Sequence, residues 1–210
     1  MNTLISEYKQ KKRQIKKRLA EFKDLRNAKD EDIFSELCFC ILTPQTKAVY
    51  CDRAVRDLEE SGLLFKGNKD VISKKLKGLV RFHNNKAAYL VAAKKFFKNG
   101  KNLDIKSSLD ANNALGTRDW LVRNIKGLGY KEASHFLRNI GLGKGIAIID
   151  RHVLENLKRY KVIHKIPGSI SKKTYLDIED KMKKFCHRIK IPIEELDLLF
   201  WSRQTGFIFK

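Results

Sequence analysis

Apolar residues along this chain recur three or four positions apart, as Leu4, Tyr8, Ile15, Leu19 and Phe22 do in the first segment, and seldom alternate. That spacing lines one face of a helix, whereas a half-buried strand needs alternation. The pattern predicts helix over this first stretch and again near residues 31–42, 46–61, 69–78, 86–98, 117–125, 130–140, 151–160, 171–188 and 193–203. Short polar or Gly-containing links separate them. The fold class is therefore all-α, with about ten helices. So many short helices rarely share one core, and two packed helical lobes with a cleft between them are expected. A terminal lobe would comprise residues 1–30 plus 145–210, and a central lobe residues 31–144. The three prolines, Pro44, Pro167 and Pro192, mark no flexible linker, and no internal repeat supports a solenoid.

Composition sharpens this picture. With 42% hydrophobic residues in 210, the chain has material for a real core. Its 45 Lys and Arg against 24 Asp and Glu give a formal net charge of +21, which points to a polyanionic partner. Because the basic residues recur from Lys9 to Lys210, nucleic acid is favoured over a membrane surface, which would concentrate them on one amphipathic helix or tail. The competing reading is a lysine-rich proteome in which surface Lys reflects composition alone. No apolar run approaches the ~20 residues of a spanning helix, and the first residues lack the apolar centre of a signal peptide. A cytoplasmic monomer, nucleoid-associated in a prokaryote, is expected. Cys38, Cys40, Cys51 and Cys186 follow no metal-ligand spacing and read as reduced packing residues.

Chemistry concentrates between Leu121 and Leu154. Gly127 and Gly129 flank Leu128 between two helical stretches. The glycines permit a tight turn whose amide hydrogens suit a DNA phosphate, with Leu128 as an inward anchor. The helix that starts near Tyr130 adds the positive end of its dipole to the same spot. A Gly-x-Gly of this kind is also an ordinary helix stop. Lys131 falls in the first turn of the second helix, where the dipole and neighbouring cations disfavour an ammonium and enlarge the nucleophilic fraction. Asp150 follows the apolar run Ile146, Ala147, Ile148 and Ile149, which delivers a carboxylate to the start of the next helix. A surface lysine and a plain N-cap are the bland alternatives. Together, an amine and an anion form the pair needed to break an N-glycosidic bond through a cation-like transition state.

The residues Ile125 to Ala133, together with Ile149-Asp150-Arg151-His152, resemble the signature of helix-hairpin-helix glycosylases of the Gly/Pro-Asp superfamily. Within it, LCFCILT at 37–43, KEASHFLRNIG at 131–141, IIDRH at 148–152 and the C-terminal lysine are similar to the archaeal-type second family of 8-oxoguanine DNA glycosylase/AP lyases. The similarity spans nearly the whole chain. It implies two α-helical domains with the hairpin at the cleft, a flipped 8-oxoguanine from duplex DNA, and a bifunctional glycosylase and lyase using Lys131 and Asp150. It also implies a monovalent cation held by hairpin carbonyls near Gly127 and Gly129, with no metal on side chains. The loop before Asp150 carries Gly141, Gly143 and Gly145 but lacks the superfamily's proline. An endonuclease III-like enzyme for oxidised pyrimidines would share the catalytic pair, as a non-catalytic hairpin DNA-binding protein would share the hairpin. That first branch usually has a four-cysteine iron–sulfur cluster, for which the last third of this chain supplies only Cys186.

Flipping a base requires side chains that fill the gap and read the base. His135, one helical turn beyond Lys131, shares its face and is a candidate for the pocket border, with a satisfied core histidine as the alternative. Phe82 is a candidate wedge on the opposite strand. His152, in the first turn after Asp150, is placed to meet a phosphate. Trp201 and Phe207 are aromatic candidates for the base pocket in the C-terminal stretch; the resemblance assigns Gln45 to the turn that fills the vacated space, and Trp201 and the terminal Lys210 to the pocket, where sequence alone would favour core aromatics and a loose end.

Overall fold

The computed structural model describes residues 2–210, the side chain of Gln204 excepted. The helices follow the hydrophobic periodicity closely: α1 (Asn2–Leu25), α2 (Asp30–Leu42), α3 (Ala48–Glu60), α4 (Leu63–Lys66), α5 (Lys69–Leu76), α6 (His83–Phe96), α7 (Ala114–Asn124), α8 (Tyr130–Asn139), α9 (Arg151–Arg159), α10 (Lys172–Ile189) and α11 (Ile193–Thr205). Three elements have no counterpart in the expected pattern. They are the single turn α4, an antiparallel ribbon of β1 (Lys98–Asn99) and β2 (Asn102–Leu103) with Lys98 opposite Leu103, and a 3-10 turn at Lys106–Ser108. All are too short for any periodic window to register. Helix starts carry side-chain caps where the chain supplies Asn or Ser, as at Asn68, Asn113 and Ser171.

The chain divides into two compact units, one of Met1–Arg26 with Leu137–Lys210 and one of Asn27–Phe136. In the latter, α2 is buried along its whole C-terminal part, from Ile33 to Leu42, and packs against α3 and α6, while α5 packs on α3 and α6. A helix with no exposed face is a core helix, so apolar residues surround it rather than form a stripe. Arg118 of α7 is almost fully buried, bonding Ser134 at 3.2 Å and lying 5.3 Å from the ring of Tyr130, which ties α7 to the start of α8.

In the unit formed by the two ends of the chain, α1 packs along α11, and α9 and α10 also pack on α11. Polar ties supplement the apolar seam of α1. The Tyr8 hydroxyl donates to Glu195 at 2.6 Å, Lys11 Nζ donates to Ser202 Oγ at 3.0 Å, and Arg203 pairs with Glu7. Tyr160 stacks with Phe185 and with Phe200, at ring separations of 5.9 and 6.1 Å. Arg138 and Asp197 form a buried ion pair, each about 5% exposed or little more. Such a pair adds little over apolar packing but is costly to break.

Candidate active site

The hairpin between α7 and α8 is built on glycine for a specific reason. Gly127 has φ +90°, and a Cβ there would stand 2.6 Å from the ring of Tyr89 on α6. Both the backbone angle and the close approach exclude a side chain. Leu128 is 6% exposed and anchors the turn inward. Gly129 precedes α8, and its N–H donates to Glu132 Oε2 at 3.2 Å. A glutamate three residues along that reaches back to the first amide is one half of a capping box. The hairpin amide at Gly129 is therefore engaged by its own helix in the free protein.

Lys131 lies in the first turn of α8 with its side chain 24% exposed. Its Nζ donates to Thr43 Oγ1 at 3.1 Å and stands 3.3 Å from Glu132 Oε1. Thr43 is buried where α2 ends, and its own hydroxyl donates to Cys40 O at 2.8 Å. The amine is thus oriented by a hydroxyl whose proton is already committed, on a side chain that stays partly exposed. That combination suits a nucleophile better than it suits a free surface lysine. Neither Thr43 nor Glu132 has a role in the sequence reading, although the spacing of Glu132 from Gly129 is a readable capping signal.

Gln45 and Phe82 occupy two turns of the same unit. Gln45 is exposed between α2 and α3 at φ +55°, and Phe82 is 52% exposed at φ +57°, immediately before α6. Positive φ at non-glycine residues stores strain of the kind that collects at functional turns. Lys86 touches both turns and went unnoticed in the sequence. It is 3% exposed, and its Nζ donates to Leu42 O at 2.6 Å, Pro44 O at 2.8 Å and Thr46 Oγ1 at 2.9 Å. Burial pulls its pKa down to about 8; Lys131 and Arg81 push the same way, against Cys51 and Glu132. One signal was available: Lys86 shares a helical stripe with Leu90 and Ala93, both buried.

Asp150 caps α9, its Oδ1 accepting the Val153 N–H at 2.8 Å. The run before it, Ile146 to Ile149, is buried and lies in neither helix nor strand, so its backbone needs partners. Side chains of α10 supply them. Glu179 accepts the Ala147 N–H at 2.9 Å, while the Tyr175 hydroxyl donates to Ala147 O at 2.7 Å and accepts from Ile149 N at 3.2 Å. These two residues, one helical turn apart, position Asp150 and were not singled out from sequence. His152 follows in the first turn, half-buried, with its carbonyl bonded to Asn156 at 2.9 Å.

The proposed pocket residues fall in both units. His135 is 7% exposed on α8 and packs edge-on against Phe39 at 5.5 Å between rings. Trp201 of α11 stacks on Phe209 at 5.9 Å and meets Phe207 edge-on at 5.5 Å. The tail that carries these rings turns at Gly206, φ +83°, and is tied to α1 by Arg18 Nε donating to Phe209 O at 2.9 Å. Lys210 is half-buried at its end, so the tail is anchored rather than loose. All four cysteines are buried and none is in a disulfide, and burial pushes the Cys51 and Cys186 thiols up to about 12. Among the described residues, no group of three or more His, Cys, Asp or Glu could hold a metal, and no helix is long and apolar enough to cross a membrane.

An all-α fold in which a glycine hairpin presents an oriented, solvent-reached lysine at a helix start defines a helix-hairpin-helix protein with the means for amine chemistry. Residues 15–191 match the family described as 8-oxoguanine DNA glycosylase. The chain is 45% identical over 209 residues to an 8-oxoguanine DNA glycosylase/AP lyase of Fusobacterium nucleatum, covering 97% of this chain and 94% of that one. It is 42% identical to the protein of that name from Methanocaldococcus jannaschii, covering 93% and 91%. Its structure is similar to the crystal structure of the M. jannaschii 8-oxoguanine glycosylase/lyase in complex with 15mer DNA containing 8-oxoguanine. The TM-score is 0.88 at 38% identity, over 99% of this chain and 100% of that one. A similar fit holds for the Thermotoga maritima 8-oxoguanine DNA glycosylase, with a TM-score of 0.87 at 32% identity, over 100% and 97%. This chain belongs to the 8-oxoguanine DNA glycosylase family.

Proposed function

We propose that this protein excises 8-oxoguanine from duplex DNA and then cleaves the strand as an AP lyase, with Lys131 as the nucleophile and Asp150 as its electrostatic partner. The observation that carries this reading is the Lys131 amine, held by Thr43 at 3.1 Å at the start of α8 on a side chain still 24% exposed. The neutral amine attacks C1′ of the extruded nucleotide. The new N–C1′ bond forms as the bond to the base breaks, and the base leaves with the electron pair and takes up a proton. The Asp150 carboxylate stabilises positive charge developing on the sugar and assists deprotonation of the ammonium. Ring opening gives a Schiff base, and loss of a C2′ proton then expels the 3′ phosphate.

The remaining residues serve DNA in this reading. Gly127 and His152 meet phosphates, Gly129 does so when a phosphate takes the place of Glu132 on its amide, Gln45 fills the vacated space, and Phe82 wedges the opposite strand. His135, Trp201, Phe207 and Lys210 border the base. The hairpin carbonyls are hard, neutral oxygens, and Ile125 O accepts only a long 3.3 Å bond from Leu128 N–H, chemistry that fits a monovalent cation near Gly127 and Gly129. Such an ion would supply counter-charge to a phosphate.

Borohydride trapping on 8-oxoguanine duplex DNA tests the mechanism, because reduction captures the enzyme only through a Schiff base. The wild type is expected to give a covalent adduct and Lys131→Gln none. An adduct that persists in Lys131→Gln, or a wild type that forms none, overturns the assignment.

A further inference from the structure

We propose that Lys86 is a positioning residue that locks the turn carrying Gln45 to the turn carrying Phe82, so that the two side chains enter DNA at a set separation. The inference rests on the reading of Gln45 and Phe82 as the gap-filling and wedging residues. Its physical basis is the way one residue joins both turns. Through its side chain, Lys86 grips Leu42 O, Pro44 O and Thr46 Oγ1, which brackets Gln45 on both sides. Through its backbone, it donates to Phe82 O at 3.0 Å and closes the first turn of α6 on the wedge residue itself. Thr46 completes the node, since its Oγ1 also accepts the Arg81 N–H at 3.2 Å.

The geometry also excludes a simpler role. A lysine 3% exposed, with its ammonium donors aimed at three acceptors, is not a DNA phosphate contact, which needs a cation that water can reach. Burying it is costly, as the depressed pKa shows, and an apolar residue would pack a helix stripe beside Ala87 and Leu90 at lower cost. What the ammonium provides is directional: it satisfies carbonyls at the end of α2 and in the turn that follows, where Gln45 holds φ +55°. A rigid pair of probes spends less entropy on entering the duplex than two independent loops would.

Two variants test this. Lys86→Met keeps the stem and removes the ammonium, while Thr46→Val removes the shared hydroxyl and keeps the shape. In the DNA-free protein, amide hydrogen exchange is expected to quicken about tenfold at residues 43–47 and 81–83 in both variants, with α10 protected as in the wild type. Unstacking is read by 2-aminopurine fluorescence beside the lesion. Lys86→Met is expected to slow it about tenfold, but by less than about twofold when Gln45→Ala is already present, because coupled residues are not additive. Unchanged exchange in the two turns overturns the proposal, and so does equal slowing with and without Gln45→Ala. If Lys86→Met does not fold, Thr46→Val decides by the same readings. A wild type that neither unstacks nor cleaves 8-oxoguanine DNA would sink the functional reading, while the exchange result would still judge the tether.

Discussion

Asp150 shows at the scale of a residue how one carboxylate holds two jobs. Its Oδ1 caps α9 through Val153 N–H at 2.8 Å, a task that asparagine performs about as well, whereas the proposed electrostatic task needs the negative charge. The two can be separated. Asp150→Asn is expected to leave Tm unchanged within a degree or so and to remove most excision activity, while Asp150→Ala should also cost about 1 kcal/mol of stability. Thermal unfolding beside single-turnover kinetics reads both; an active Asp150→Asn would reduce Asp150 to a cap. Lys131 and Asp150 stood out in the sequence because each sits at a helix start after an interpretable stretch, one a hairpin and one an apolar run. Thr43, Lys86 and Tyr175 did not, because their roles depend on atoms 88, 40–44 and 26–28 positions away in the chain.

At the scale of elements, periodicity located ten of the helices to within a few residues, since each buries a face large enough to leave a pattern. It passed over α4, the β1–β2 ribbon and the 3-10 turn at Lys106–Ser108, which are too short to repeat a period. The hairpin was readable as a turn, but its reason was not: Gly127 is required by the ring of Tyr89 on α6 as well as by φ +90°. Gly127→Ala is therefore expected to destabilise the protein by about 1–3 kcal/mol and to shift the start of α8. Denaturant unfolding checks the first part and the rate of borohydride trapping the second. A variant of wild-type stability would show that Tyr89 can turn aside. The buried run before Asp150 follows the same logic, being apolar in sequence but held by Tyr175 and Glu179 of α10.

For the whole molecule, the +21 charge is the property that DNA binding explains best. Affinity of the Lys131→Gln variant for duplex DNA is expected to fall about a thousandfold or more between about 50 and 200 mM salt, as counterions compete for the phosphates. Fluorescence anisotropy across a salt series measures the slope, and a flat one would return the excess lysine to mere composition.

The order of residues alone determined the helical class, the hairpin, the two catalytic candidates and the family resemblance, because each is written in local spacing or in a contiguous motif. Tertiary structure alone decided that Lys131 is held by Thr43, that Lys86 joins two probing turns, that α10 pins the buried run ahead of Asp150, and that Trp201 stacks on the chain's own tail. The division has a physical cause. A helix or a turn is selected by neighbours along the chain, whereas a buried ammonium or an orphaned carbonyl is satisfied by whichever group folding brings within about 3 Å.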